Sequence, residues 1–188
     1  MFNTFVITGR PGSGKTVQAK LLAKETEFIH FSPGDEYREV ASRETQFGLK
    51  IKELIDDGDL GPEWFSIYLF QKAVLDLSDT DGIIFSGTGR RKDEAECFHN
   101  VMSWLSRRYS VFNIVVSEKE SSKRLSLRRT KENREDDEEK DIPIRMNKYK
   151  MHTKLAIDFF RSAGVLIDID GEQSIEEVHK DILKELGM

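Results

Sequence analysis

The sequence predicts an α/β fold: a five-stranded parallel sheet with helices on both faces. Three observations carry that expectation. Five short apolar segments recur at residues 5–8, 28–31, 82–85, 111–116 and 165–169. They alternate with stretches whose apolar residues fall at helical spacing, the pattern of parallel α/β sheets. Behind the first segment lies Gly9-Arg10-Pro11-Gly12-Ser13-Gly14-Lys15-Thr16, which meets the pattern G-x-x-x-x-G-K-[ST] at every fixed position.

Phe5-Val6-Ile7-Thr8 reads as a buried strand and Val17 to Lys24 as a helix, with Val17, Leu21 and Leu22 on one face. Strand, glycine-rich turn and helix is the setting a phosphate-binding loop needs, giving the P-loop NTPase fold. Gly12 and Gly14 lack a Cβ, so the backbone can curl around an anion. Its N–H groups then converge on a phosphate at the positive end of the helix. Lys15 can reach the outer phosphates of a nucleoside triphosphate, and the Thr16 hydroxyl can ligate Mg²⁺.

Phe28 to Phe31 is the second strand, with His30 a packing residue rather than a ligand. Ser32 or Gly34 starts a helix whose early acids, Asp35 and Glu36, suit the helix dipole, with Arg38 a turn later. Residues 47–55 form another helix. Asp57 to Pro62 break the chain, and Pro62 suits the first turn of the next helix. That helix carries Trp64, Phe65, Tyr68 and Phe70, read as core aromatics. Gly82 to Phe85 form an interior strand, so Ser86 to Arg91 lie past its carboxyl end, where ligands bind in open α/β sheets. Arg90 and Arg91 are phosphate-contact candidates. The helix of residues 92–106 carries Cys97, a small buried residue, and His99, exposed or capping. Val111 to Val116 form the fourth strand, followed by a basic helix. Residues 131–141 are charged at every position but Asn133 and read as a solvated loop. Pro143 places the next helix start near Asp141. That helix runs through Phe160, Val165 to Ile169 form the last strand, and Ser174 caps a final helix.

The 188 residues are 38% hydrophobic and 34% charged, with a net charge of −5. One core of this size suits a single domain. The acidic balance argues against binding nucleic acid polymers. The single cysteine excludes an internal disulfide and a cysteine-built metal site. With no signal-peptide pattern and no apolar run of membrane-spanning length, a cytoplasmic protein is expected.

Several motifs in order make the chain resemble the adenylate kinase family of nucleoside monophosphate kinases. The family's G-x-P-G-x-G-K-[GST] loop is matched from Gly9 to Thr16. Its S-T-G-D-x-x-R motif resembles Ser32-Pro33-Gly34-Asp35-Glu36-Tyr37-Arg38. Its G-x-L-V-P-D segment resembles Gly58 to Glu63, and its D-G-F-P-R-T motif falls on Ser86 to Arg91. Its R-x-x-x-R helix falls on Arg124 and Arg128. Its lid motif and later arginine fall on Arg134, Asp136, Asp137 and Arg145, with Tyr149 beyond. The resemblance implies one kinase domain over residues 1–188, with a monophosphate-binding insert over about 32–62 and a short lid over about 128–141. It implies transfer of the γ-phosphoryl group from ATP, with Mg²⁺, to a nucleoside monophosphate by a monomer. It further implies that Ser32, Arg38 and Arg90 hold the monophosphate. Arg128, Arg134 and Arg145 surround the transferring group, and Asp35 orders Mg²⁺ through water. Phosphoryl transfer needs charge neutralisation and in-line positioning more than covalent chemistry, and this set of cations suits it.

The chain departs from the family pattern at four places. Pro33 stands for a threonine, Ser86 for an aspartate, and Thr88-Gly89 for Phe-Pro. Glu94 falls where the family has a glutamine against the acceptor's adenine. A carboxylate only accepts hydrogen bonds, which suits guanine's adjacent N1–H and N2–H₂ or an exocyclic amine alone. An acceptor other than AMP is therefore the expectation, against Glu94 simply facing solvent. Pro33 and Ser86 also keep open a P-loop kinase for another small acceptor, and a nucleotide-binding regulator without turnover.

Overall fold

The computed structural model describes residues 3–132 and 141–188. Five strands form one all-parallel sheet: β1 (Thr4–Gly9), β2 (Ile29–Phe31), β3 (Ile83–Ser86), β4 (Tyr109–Val115) and β5 (Leu166–Asp170), in the order β2-β3-β1-β4-β5. The chain returns across β1 in this order, so the connections diverge on either side of its carboxyl end. A crevice opens there.

The helices of the described residues are α1 (Lys15–Thr26), α2 (Pro33–Ala41), α3 (Gln46–Asp56), α4 (Glu63–Leu75), α5 (Lys92–Trp104), α6 (Glu118–Glu132), α7 (Asp141–Lys148), α8 (Lys154–Ser162) and α9 (Ile175–Glu185). None is long and apolar enough to cross a membrane. The period of two along the strands sorts the core into two layers. Val6, Ile83, Phe85, Tyr109 and Val111 face α4, α5 and α8 through Phe70, Phe98, Met102, Ala156 and Phe160. Phe5, Ile7, Ile84, Phe112 and Ile114 face α1 and α9 through Ala19, Leu22, Val178 and Ile182. Phe85, Phe98 and Phe112 are wholly buried, and truncating any of them to Ala costs about 3–5 kcal/mol.

Two smaller clusters stand over the crevice. Tyr37, Ile51, Phe65 and Leu69 join α2 and α3, which lie between β2 and α4, to α4 itself. Leu125, Ile142 and Met146 join α6 to α7.

Several local expectations are corrected. Val17 is 44% exposed; α1 instead buries Gln18, Ala19 and Leu22. The Gln18 amide donates to the Ile175 carbonyl at 2.8 Å and ties α1 to α9. Trp64 and Tyr68 are exposed, because α4 turns only Phe65, Leu69, Phe70 and Val74 inward. Pro62 is the N-cap of α4 rather than its first turn. His99 is half-buried, with Nδ1 2.8 Å from the Tyr109 hydroxyl; Cys97 is also only half-buried. The segment from residue 141 to 162 is not one α-helix: a π-turn, Tyr149–Thr153, joins α7 to α8. Ser174 caps α9 as expected, in a reciprocal capping box with Glu177.

Candidate active site

The loop after β1 curls as its glycines require. Gly9, Gly12 and Gly14 have φ of 142°, 74° and 91°, and at the first two a Cβ would also meet the Ile114 and Ser121 carbonyls at 2.6 and 2.8 Å. The Ser121 hydroxyl of α6 donates to the Pro11 carbonyl, bracing the loop from above. Gly14 is the N-cap of α1, which places Lys15 and Thr16 in its first turn. The Lys15 ammonium reaches back to the Arg10 carbonyl at 3.3 Å, curled over the loop it serves. Arg10 does not face the crevice. Its guanidinium lies 5.0 Å from the centre of the Tyr149 ring and 3.5 Å from the Glu118 carboxylate, a cation–π contact that fixes the loop against the π-turn.

The crevice runs from this loop to the α2–α3 side. It is lined by Gly9, Pro11 and Lys15 of the loop, by the cations Arg38, Arg90, Arg145 and Lys148, and by Tyr37, Leu54, Ile55, Leu60 and Ser66, an apolar group with two hydroxyls. Arg38 on α2 pairs with the Asp35 carboxylate one turn earlier. Burial acts to raise the Asp35 pKa, but the hydrogen bond and charge of Arg38, with the Ser32 hydroxyl and the charge of Lys20, together hold the carboxyl below its usual range. Ser32 caps α2 by accepting the Asp35 N–H at 3.3 Å.

Arg90 follows a Gly-Thr-Gly turn in which Gly87 and Gly89 have φ of 79° and 68°. Its Nε donates to the Gly87 carbonyl at 3.0 Å, which folds the guanidinium back over the strand end. Burial, and after it the neighbouring charge of Arg145, lower the Arg90 pKa. Two cations held together in a desolvated cleft form a site for an anion.

Arg91 has a different use from the phosphate contact expected of it. Its guanidinium donates to the Gly61 and Leu60 carbonyls at 2.8 and 3.3 Å and to Glu94 Oε1 at 3.2 Å. It pins the 58–61 loop to the start of α5. Glu94 does not face solvent: it is 4% exposed and lines the crevice. Glu94 Oε2 accepts the backbone N–H of Arg90 at 2.8 Å and of Arg91 at 3.3 Å, capping α5.

Arg128 lies half-buried on α6, outside the set of residues that line the crevice. Arg134, Asp136 and Asp137 lie outside the described residues. Sequence reasoning missed Lys148, Thr88 and the Tyr37–Ser66 pair. Lys148 was open to detection, since it follows Arg145 by three residues and shares its helix face. The Tyr37 hydroxyl sits 3.0 Å from Ser66 Oγ and donates to the Pro62 carbonyl at 3.1 Å; nothing local in the sequence couples residues so far apart.

A phosphate-binding loop at the carboxyl edge of a parallel sheet, facing arginines across a cleft, defines a P-loop phosphotransferase. The adenylate kinase family model matches residues 7–165. The chain is 31% identical to an adenylate kinase of Archaeoglobus fulgidus over 94% of both chains. It is 32% identical to one of Leptospira biflexa, over 96% of this chain and 98% of that one. It is 29% identical to one of Staphylococcus aureus, over 95% and 96%. The chain belongs to the adenylate kinase family, and its activity is of that family's class: ATP-dependent phosphoryl transfer to a nucleoside monophosphate. The archaeal alignment spans 205 positions, more than the 188 residues present here, so it opens gaps in this chain; the Leptospira alignment spans 182.

Proposed function

We propose that the chain moves the γ-phosphoryl group of ATP, in the presence of Mg²⁺, onto the phosphate of a nucleoside monophosphate, yielding ADP and a nucleoside diphosphate. One observation carries the reading: Lys15 and its loop line the same crevice as Arg38, Arg90 and Arg145. A triphosphate on the loop would present its terminal group toward those arginines. Arg38 and Arg90 are proposed to hold the acceptor phosphate, and Lys15 and Arg145 to stabilise charge on the group in transit. Arg128 and Arg134 are proposed to complete that set when the 128–141 lid closes over the site and excludes water. The domain limits given above, with the insert over about 32–62, belong to the same proposal.

The hard oxygen donors needed for Mg²⁺ are available. Thr16 stands in the first turn of α1 beside the loop, and Asp35, kept ionised chiefly by Arg38, suits a second-sphere role through water. Mg²⁺ binds through few protein ligands and the substrate's own phosphates. When bound it would neutralise phosphate charge. Ser86 would not assist by charge; its hydroxyl is engaged by His30 Nε2 at 3.0 Å. A cytoplasmic monomer is the proposed working form.

The test is a transfer panel with ATP and Mg²⁺ against AMP, GMP, CMP, UMP, dTMP and their deoxy forms, with Lys15→Ala as the comparison. Diphosphate formation with one acceptor, lowered by about 100-fold or more in Lys15→Ala, is expected. ATP binding without transfer to any acceptor would overturn it.

A further inference from the structure

The loop pattern G-x-x-x-x-G-K-[ST] leaves its second position open, so the chemistry of phosphate binding does not call for the side chain that stands there. Arg10 lies outside the residues that line the crevice. Its side chain is nevertheless only 20% exposed, and its Nε is buried with no hydrogen-bond partner. A buried polar group left unpaired is costly, so other contacts hold the guanidinium where it is. One is the Tyr149 ring, 5.0 Å away at its centre, and the other the Glu118 carboxylate at 3.5 Å. The second is the weaker. It is long for a hydrogen bond, Glu118 is half-exposed, and the same carboxylate oxygen stands closer to Lys150, at 2.7 Å.

The backbone of Arg10 has its own task. Its carbonyl accepts the Ser13 N–H at 3.1 Å and the Lys15 ammonium at 3.3 Å. One residue thus seats the loop's ammonium through its carbonyl and grips the π-turn through its guanidinium. Tyr149 opens that turn directly after α7 and itself lines the crevice. Arg145 lies one turn earlier on α7. A path from Lys15 to Arg145 therefore runs through Arg10, the Tyr149 ring and one turn of helix.

Phosphoryl transfer is sensitive to that spacing. Charge develops on the group in transit, and cations help only where they stand ready to meet it. A misplacement of about 1 Å can cost about 100-fold in rate. Binding of the triphosphate is spread over several N–H groups of the loop and depends less on any one distance.

We infer that Arg10 is a positioning residue of the transfer reaction: stacked on Tyr149, it fixes the seat of Lys15 at a set distance from the α7 wall that carries Arg145. The inference rests on the phosphotransferase reading above. Arginine suits the place better than lysine. A planar, weakly hydrated guanidinium can stack on a ring, and an ammonium has no plane to stack.

The experiment compares the wild type with Arg10→Met, Tyr149→Leu, their double variant and Glu118→Gln. It uses ATP, Mg²⁺ and the acceptor that the panel above turns over fastest. Arg10→Met should lower kcat about tenfold and leave the KM of both substrates within about threefold. Tyr149→Leu should lower kcat to a similar extent. The double variant should fall no more than about twofold below either single one, since both remove the same contact. Glu118→Gln should stay within about twofold of the wild type. Should Arg10→Met not fold, Arg10→Lys takes its place, with a loss of about threefold or more in kcat expected. Amide exchange of residues 149–153, with and without AMP-PNP and Mg²⁺, gives a readout independent of turnover. In the wild type the bound analogue should slow exchange there, and in Arg10→Met it should not. The inference falls on an unchanged kcat in Arg10→Met, a loss confined to the KM for ATP, or losses that multiply in the double variant. It falls equally if Glu118→Gln is as damaging as Arg10→Met, or if exchange at 149–153 is the same in both proteins. If the wild type turns over no monophosphate, the kinase reading fails separately, and the exchange result alone decides for or against Arg10.

Discussion

The ammonium of Lys148 lies 2.7 Å from the Asp59 carboxylate and joins α7 to a loop 89 residues earlier in the chain. Both residues line the crevice. Burial acts to raise the Asp59 pKa, but the bond and charge of Lys148, the Leu60 N–H and the charge of Arg91 together hold it below its ordinary value. The pair is about one-third exposed, so its effect on stability is small. Asp59→Asn should change the unfolding free energy by less than about 1 kcal/mol in denaturant titration. It should raise the KM for the monophosphate by up to about fivefold at low ionic strength, and by less in about 0.5 M salt. A KM independent of salt in both proteins would separate this ion pair from acceptor binding.

Glu94 holds two backbone N–H groups and Arg91 together in a buried setting. Glu94→Gln keeps an acceptor but loses the charge, and Arg91 loses a carboxylate partner while keeping the Leu60 and Gly61 carbonyls. Unfolding in urea should show a loss of about 2 kcal/mol. A variant as stable as the wild type would mean the cap works equally well uncharged.

Gly61 is the contact point between the 58–61 loop and α2. A Cβ there would lie 2.1–2.4 Å from the Tyr37 ring. The ring cannot simply move aside, because its hydroxyl is bound by Pro62 and Ser66 and its face meets Phe65 edge-on at 5.0 Å. Gly61→Ala should cost about 1–3 kcal/mol and weaken acceptor binding while leaving ATP affinity intact. Separate calorimetric titrations of the two nucleotides would check it.

His30 gives the stability a pH dependence. Burial lowers its pKa from the ordinary 6.5, partly countered by the charge of Asp35 and aided by that of Lys20. On acidification the unfolded chain takes up the proton first. The contribution is therefore complete above about pH 6.5 and is lost as pH falls through the lower folded value. Thermal melts between pH 7.5 and pH 5 (about that range) should show Tm falling with pH, and His30→Gln should flatten the slope. Identical slopes would assign the effect to other groups.

The order of strands and helices was legible because each depends on local periodicity, and so was the loop from Gly9 to Thr16. The facing of individual side chains was less so. Val17, Trp64 and Tyr68 are apolar yet exposed, since helix spacing shows a stripe but not which neighbour covers it. Arg90 and Arg91 read alike in sequence. One turns toward Arg145 and the cleft while the other clamps two carbonyls of a distant loop, a division made by tertiary packing alone. The solvent-facing alternative for Glu94 failed because its helix start is buried under that same loop.

The π-turn at Tyr149–Thr153 has a consequence for how the chain can change its length. Each residue of an α-helix advances the side-chain direction by about 100°, and a π-turn holds one surplus residue. Before it, Arg145 and Lys148 line the crevice, as do Tyr149 and Thr153 of the turn itself; after it, Ala156 and Phe160 pack under the sheet, and Ile157, next to Ala156 in sequence, is buried. The surplus residue sets the phase between a half that meets ligand and a half that meets core. Deleting any one residue of the five would regularise the helix and swing one half off its target, so this stretch tolerates substitution far more readily than a change in length.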